Sequence, residues 1–370
     1  MTLFGLVRPL LHRLDPETAH RLTLSALRLG LVGRARGADD PALRCHLWGL
    51  ALTNPIGLAA GFDKDAEVAD AILGLGFGAV EVGTITPRPQ AGNPRPRVFR
   101  LAADCAVINR LGFNNAGLAA ASERLSARER RGVVGANIGA NRDSTEPIAD
   151  YVAGLSALHG LVDYLVVNVS SPNSPGLRDL QRRGALDQLL GALTERRAEL
   201  AAEGARSVPL VLKIAPDLDT AECEAIAEVA LARRLDGMIV ANTTIGSRQG
   251  LRDLQREQIG GLSGAPLFAP STALLAEMYR LVGARMPLIA AGGVSSGRDA
   301  YRKIRAGASL VQLYTALIYQ GPDLVAGVKR ELTALLKADG LANVAQAVGV
   351  DIDDARARRD HRDAVRDAEH

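Results

Sequence analysis

The sequence predicts an α/β protein built on a (β/α)8 TIM barrel with an N-terminal helical hairpin extension, and three observations predict it. After about residue 54, short apolar or β-branched runs alternate with longer helical patterns eight times. Each run is near-continuously hydrophobic, as parallel strands buried on both faces are. Polar residues then gather directly after the runs, where the βα loops of a barrel build its functional face. An open doubly wound sheet is the competing architecture, but no GxGxxG follows the first run and such sheets usually have fewer repeats.

The elements follow in order. Residues 1–37 read as a helical hairpin: Leu3, Val7, Leu10 and Leu14 fall on one helical face, Asp15 supplies an N-cap, and Pro16 opens a second helix that aligns Ala19, Leu22, Ala26 and Leu29. Its polar side carries Arg8, Arg13, Arg21 and Arg28 against Asp15 and Glu17, with Arg34 and Arg36 in the loop that follows. A cationic amphipathic hairpin suits an anionic membrane surface, and it equally suits a lid packed on the barrel. The residues alone leave both readings open. Segment Cys45–Leu52, with Trp48-Gly49 at its middle, reads as a short hairpin that plugs the barrel bottom.

The barrel itself is expected over 45–338. Its strands are Ile56–Ala60, Ala79–Gly83, Val133–Ile138, Tyr164–Val169, Pro209–Ile214, Gly237–Asn242, Pro287–Ala291 and Ser309–Tyr314. Helices are clearest near Glu67–Leu75, Leu186–Glu203, Ala221–Arg234, Thr272–Val282, Arg298–Ala306 and Asp323–Lys337, several of which begin after Ser, Thr or Asp. Residues 339–370 are expected to be a charged C-terminal tail, of which Asp351 to His370, almost all charged and Ala, reads as a solvated or frayed terminus.

Composition excludes several function classes. Hydrophobic residues at 47% and charged residues at 23% place the chain among globular proteins that can bury a substantial core. A net charge of +3, with no Lys/Arg run interleaved with aromatics, gives no sign of nucleic acid as a partner. Cys45, Cys105 and Cys223 are widely spaced with no CxxC, so neither a disulfide framework nor a metal site is indicated. No apolar run is long enough to span a bilayer and no signal peptide is recognisable, so the chain is expected not to cross a membrane.

The residues at the strand ends carry the chemistry. They are Ala60-Gly61-Phe62-Asp63-Lys64, Thr84, Asn137, Asn168 through Asn173, Lys213, Asn242-Thr243, Gly292-Gly293 and Tyr314-Thr315. Any one of them is weak evidence, since Asn often forms turns and Lys is usually solvated. Together, amides that end apolar strands need partners in the mouth, and a flat heterocycle with alternating donors and acceptors supplies them. Gly292-Gly293 and the backbone near Tyr314-Thr315 lie where barrels commonly bind a phosphate, which points to a phosphorylated cofactor or substrate. Lys213 places a positive charge beside a group that becomes anionic during reaction.

Ala59 through Asp65, Asn109-Arg110-Leu111-Gly112-Phe113-Asn114-Asn115, Asn168 through Leu177, Asn242-Thr243-Thr244 and Gly260 through Gly264 together resemble the dihydroorotate dehydrogenase family. The match runs in order from about residue 10 to 337. The helical hairpin is similar to the quinone-tunnel extension of the second class, and Ser171 stands where the soluble class has Cys.

The resemblance implies FMN as cofactor, held by Ala60, Gly61, Phe62, Asp63, Lys64, Thr84, Asn137, Asn168, Lys213, Ala241, Gly264, Gly293, Tyr314 and Thr315. It implies dihydroorotate and orotate as substrate and product, bound by Lys64, Asn109, Arg110, Leu111, Gly112, Phe113, Asn168, Asn173, Asn242 and Thr243. Ser171 would take the C5 proton while hydride passes to FMN and onward to a membrane quinone, in two half-reactions at two sites. A serine hydroxyl is a poor base, so a relay through water or a neighbouring hydroxyl is required.

A monomer docked peripherally on the cytoplasmic side of the cell (inner) membrane is the corresponding expectation for assembly and location. Two departures stand out: Ser174 replaces a more usual Thr, and Ala241 replaces a Thr that would touch FMN. A soluble enzyme using fumarate or NAD is the nearest alternative, and the serine and the hairpin argue against it. A flavin-free phosphosugar isomerase or aldolase barrel shares the phosphate site, whereas a non-enzymatic scaffold leaves the polar mouth unexplained.

Overall fold

In the computed structural model, residues 3–35, 37–174 and 176–352 are described. Arg36, and the expected tail from 353 onward, lie outside these residues. The chain begins with helices α1 (Leu3–Arg13) and α2 (Pro16–Arg28), followed by a hairpin of β1 (Cys45–Leu47) and β2 (Leu50–Leu52). The Asp15 carboxylate accepts the Thr18 amide and Pro16 occupies the first turn of α2, as the sequence predicts.

The first half of the barrel comprises β3 (Ile56–Leu58), α3 (Ala69–Leu73), β4 (Ala79–Ile85), β5 (Val98–Leu101), β6 (Ala106–Asn109), α4 (Gly117–Ser126), β7 (Val133–Ile138), α5 (Pro147–Leu158) and β8 (Tyr164–Asn168). The second half continues with α6 (Arg183–Ala202), β9 (Leu210–Lys213), α7 (Thr220–Ala232), β10 (Gly237–Val240), β11 (Gly261–Gly264), α8 (Phe268–Val282), β12 (Leu288–Ala291), α9 (Gly297–Arg305), β13 (Ala308–Leu313), α10 (Thr315–Gln320) and α11 (Asp323–Ala338).

Strands β3, β4, β7, β8, β9, β10, β12 and β13 pair in parallel and close in sequence order, so all eight expected strands take their places in one barrel. Ile56, Val80, Val134, Val166, Leu212 and Ile239 have no exposed surface, consistent with strands covered on both faces. The β1–β2 turn holds Trp48 at φ 55° and Gly49 at φ 78°, the left-handed pair that a two-residue hairpin favours. The Trp48 ring packs on Tyr164 at 5.4 Å between centroids, and its indole N–H donates to the Asp236 carbonyl at 2.6 Å. Both partners lie at strand beginnings, so this hairpin closes the bottom of the barrel.

Three features depart from the sequence reading. First, β5, β6 and β11 form a separate antiparallel sheet over the barrel mouth, drawn from two different βα loops. Its strands span four residues each, and although β5 and β6 are a local hairpin, β11 joins β6 from about 150 positions away, so local periodicity carries little sign of it. Second, the segment after α11 packs back on the barrel: Val344 and Ala347 are buried and Arg305 pairs with Asp351 at 2.6 Å. Third, the hairpin has two apolar faces rather than one. Ala19 and Leu27 pack inward, whereas Leu6 at 60% exposure, Leu10 at 64% and Leu29 at 69% point out.

The hairpin is fastened to the barrel by buried charge. Arg97 clasps Glu17 through two hydrogen bonds of 2.9 and 3.0 Å and also donates to the carbonyls of Ala91 and Asn93. Arg100 reaches the carbonyls of His12 and Leu14, both at 3.0 Å, and satisfies groups left open where α1 ends.

Candidate active site

One cavity of about 1450 Å³ runs from the C-terminal ends of the barrel strands to the inner face of the hairpin. Its inner end is lined by Lys213, Asn168, Ala241 and Asn242, and its outer end by Phe4, Leu11, Ala19 and Leu27. Nearly all the residues singled out from the sequence meet here: Ala60, Gly61, Phe62, Lys64, Thr84, Asn109, Leu111, Gly112, Phe113, Asn168, Ser171, Asn173, Lys213, Ala241, Asn242, Thr243, Gly264, Gly293, Tyr314 and Thr315 all line it.

The amides at the inner end form one hydrogen-bonded network. Thr84 donates to Asn137 Oδ1 at 2.5 Å, and Asn168 donates to Thr84 at 2.9 Å and to Asn137 Oδ1 at 3.1 Å. Asn242 continues it, donating to Ser170 Oγ at 3.0 Å and to Asn168 Oδ1 at 3.3 Å. Such a network fixes which edge each amide presents to the cavity. Asn137 itself lies beneath the lining and supports Thr84 and Asn168 from below.

Glu81 anchors this layer and was missed by the sequence reading. It is fully buried, accepts from Asn137 at 2.8 Å and Gln312 at 2.6 Å, and lies 3.5 Å from the Lys213 ammonium. A carboxylate inside an otherwise apolar strand signals a buried partner, and that was the available clue. With Glu81 beside it, Lys213 presents a charge that is oriented and partly balanced.

Two glycine turns shape the cavity at the ends of β11 and β12. Gly293 has φ 77°, and a Cβ there would lie 2.4 Å from both the N and Cα atoms of Phe268. Gly264 has φ 99°, and a Cβ there would lie 2.4 Å from the Cys105 carbonyl. Nothing larger than glycine fits either place. Gly293→Ala is expected to cost about 1–3 kcal/mol of stability, read by chemical denaturation. An unchanged midpoint would show that the turn has slack.

Asp63 and Arg110 do not line the cavity. The Asp63 carboxylate accepts the amides of Glu67 and Val68, both at 2.8 Å, and its carbonyl accepts Gly83 N–H, so it braces the loop that carries Lys64. Burial pushes the Asp63 carboxyl pKa up, and those amides oppose the shift. Arg110 turns outward to Gln258 and the Ile259 carbonyl and lies 4.5 Å over the Phe99 ring. Its backbone carbonyl accepts from the Asn93 side-chain amide at 2.9 Å.

Lys64 donates to the Gly61 carbonyl at 2.7 Å, and burial lowers its pKa to about 8 against the opposing pull of Asp65 and Glu17. Ser171 is 6% exposed, and its hydroxyl accepts the Asn173 amide at 3.3 Å. Among the described residues no imidazole or carboxylate hydrogen-bonds to that hydroxyl. Asn173 also donates to Asn109 at 3.2 Å, joining the Ser171 loop to the mouth sheet.

At the hairpin end, His20 sits edge-on to Phe62 at 5.1 Å, and Phe62 in turn meets Tyr314 at 5.7 Å. Burial, reinforced by the Lys64 charge, lowers the His20 pKa to about 3, so its ring is neutral near pH 7. Arg100 and Tyr319 also line this end. None of the three stood out in the sequence, because each is an isolated polar residue in an amphipathic or loop context.

The chain is similar throughout its length to known proteins. A family profile described as Dihydroorotate dehydrogenase matches residues 42–336. A protein of Parvibaculum lavamentivorans named Dihydroorotate dehydrogenase (quinone) is 57% identical over 354 residues, covering 95% of this chain and 99% of that one. A protein of the same name from Rhodospirillum rubrum is 53% identical, covering 94% of each chain. Among solved structures, the Eimeria tenella DHODH in complex with ferulenol superposes with a TM-score of 0.88 at 43% identity, covering 91% of this chain and 96% of that one. This chain belongs to the dihydroorotate dehydrogenase family.

Proposed function

We propose that this protein oxidises (S)-dihydroorotate to orotate in de novo pyrimidine (UMP) biosynthesis and delivers the electrons to a membrane quinone, with FMN as its resident cofactor. The observation that carries this reading is the single cavity joining a polar barrel mouth to the apolar inside of a helical hairpin. A polar ring substrate suits the first end and an apolar electron acceptor the second.

The residues present fit FMN. The Gly264 and Gly293 turns leave backbone exposed where a side chain cannot fit, as a phosphate cradle requires. Lys213 supplies a buried cation for a ring edge, and Thr84, Asn137 and Asn168 supply fixed donors and acceptors. Ala241 offers a backbone contact where a Thr side chain is more usual. When bound, FMN supplies the two-electron chemistry that connects the two ends of the cavity.

The chain's own residues do the rest. Asn109, Asn168, Asn173, Asn242 and Thr243 read the ring amides of dihydroorotate, and the Lys64 ammonium faces its carboxylate. Ser171 Oγ receives the C5 proton and passes it on through water or the Ser174 hydroxyl. Phe113 and the loop carrying Ser171 close the site against water. Leu6, Leu10 and Leu29 outside the cavity, with Leu22 and Leu31 that also line it, form an exposed apolar fringe beside Arg13, Arg21 and Arg28. This arrangement suits a monomer docked peripherally on anionic lipid at the cytoplasmic face of the inner membrane. No helix among the described residues is long and apolar enough to cross a membrane.

The test is orotate formation with alternative acceptors. A short-chain quinone is expected to sustain turnover, and fumarate or NAD is not. Equal rates with fumarate or NAD would move the protein to the soluble type of reaction.

Lys64 also sets a pH dependence. Its free-enzyme pKa of about 8 means the ammonium is present below that pH and lost above it. kcat/KM for dihydroorotate is therefore expected to fall as pH rises through about 8, by up to tenfold per unit, and Lys64→Met should flatten that limb. A wild-type profile level to pH 9.5 would remove Lys64 from carboxylate recognition.

A further inference from the structure

A second buried lysine lies outside the lining of the cavity. Lys303 on α9 has no exposed surface, and its ammonium donates to Ser271 Oγ at 2.6 Å. Among the described residues no carboxylate forms an ion pair with it. Its other close neighbour is the Phe268 ring, 5.2 Å away, with Arg302 lying 5.0 Å over the same ring. A cation buried without an anion is costly, and burial lowers the Lys303 pKa to about 7, with Asp299 opposing and Arg302 reinforcing the shift.

What Lys303 touches gives it a direction. With Lys303 donating to it, Ser271 Oγ turns its one proton toward a group of three carbonyls, Leu267 at 2.6 Å, Gly292 at 3.2 Å and Phe268 at 3.3 Å, and so bridges the start of α8 to the Gly292 turn. The peptide between Gly292 and Gly293 is planar and trans, so holding the Gly292 carbonyl toward Ser271 aims the Gly293 N–H the opposite way. Gly293 lines the cavity, and among the described residues its N–H donates to nothing. The steric fit of Gly293 against Phe268 keeps the turn from rotating.

We propose that Lys303 is a positioning residue for the cofactor phosphate: through Ser271 it orients the Gly292–Gly293 peptide, and its charge lies behind the turn on which the phosphate rests. The inference rests on FMN being the cofactor. It assigns to Lys303 no contact with dihydroorotate, quinone or the flavin ring.

Riboflavin, which lacks the phosphate, separates this role from a structural one. The full-length chain stripped of flavin is titrated with FMN and with riboflavin, following flavin fluorescence, for wild type, Lys303→Met and Lys303→Gln. Methionine keeps the length and volume without the charge, and glutamine keeps a donor for Ser271. Wild type is expected to prefer FMN, and both variants should lose that preference on the order of tenfold while riboflavin affinity stays put. The inference is overturned if both flavins weaken equally, if neither changes, or if Lys303→Gln keeps the full FMN preference. A wild-type chain that binds neither flavin would instead overturn the cofactor reading itself.

Discussion

Ser171→Ala is expected to slow flavin reduction by dihydroorotate by 10²- to 10⁴-fold, the usual contribution of a positioned proton acceptor, roughly, with substrate binding changed by less than about threefold. Ser171 is almost fully buried, with one amide donated to its hydroxyl and, among the described residues, neither histidine nor carboxylate bonded to it. In the proposed mechanism that oxygen supplies position and a relay supplies basicity. Ser171→Cys, which retains an ionisable group at the same place, should keep more of the rate. Anaerobic stopped-flow absorbance reads both variants. An alanine variant reduced as fast as wild type would remove Ser171 from the chemical step, and a loss confined to substrate affinity would make it a binding residue only.

Deleting residues 1–37 is expected to lower quinone turnover on the order of a hundredfold or more while a soluble dye still accepts electrons at a rate within a few-fold of the full chain. The hairpin supplies one wall of the cavity's outer end, including His20, Leu11 and Leu27, so without it an apolar acceptor has no enclosed route to the flavin face. The deletion also strips Glu17 from Arg97, whose guanidinium is then opened to solvent and keeps only its bonds to the Ala91 and Asn93 carbonyls. Dye turnover therefore serves as the control for folding. Quinone reduction that survives intact would show that the acceptor reaches the flavin elsewhere.

The barrel was legible because its signal is local and repeated. Each of the eight strands is a short hydrophobic run, and misplacing one end by two residues, as at Ile56–Ala60 against the observed Ile56–Leu58, leaves the count unaffected. The mouth sheet was not legible, because its three strands are four residues long and β11 finds the β5–β6 hairpin only after the barrel has brought two loops together. The same contrast holds in the site. Asn168, Lys213 and Gly293 stand at strand ends, where position alone marks them. Glu81, His20 and Arg100 matter through what faces them, and those partners lie 20 or more positions away in the chain.

Asp63 and Arg110 mark the opposite limit. They sit inside conspicuous motifs, yet Asp63 braces its own loop and Arg110 turns to the outer surface. A motif identifies the segment that forms a wall. Which side chains face inward is decided by packing that the segment itself does not encode. The hairpin is a further case: periodicity aligned Leu29 with Ala19, Leu22 and Ala26, yet Leu27 is the leucine buried against the cavity while Leu29 faces solvent, a division that depends on where the barrel lies.

The central claim, that one cavity couples dihydroorotate oxidation to a quinone through a bound flavin, is tested most directly by the visible absorption spectrum of the purified protein under anaerobic conditions. The account predicts an oxidised-flavin spectrum that bleaches on adding dihydroorotate and returns on adding a short-chain quinone. A protein that stays colourless after incubation with FMN, or a flavin that dihydroorotate leaves oxidised, would contradict it.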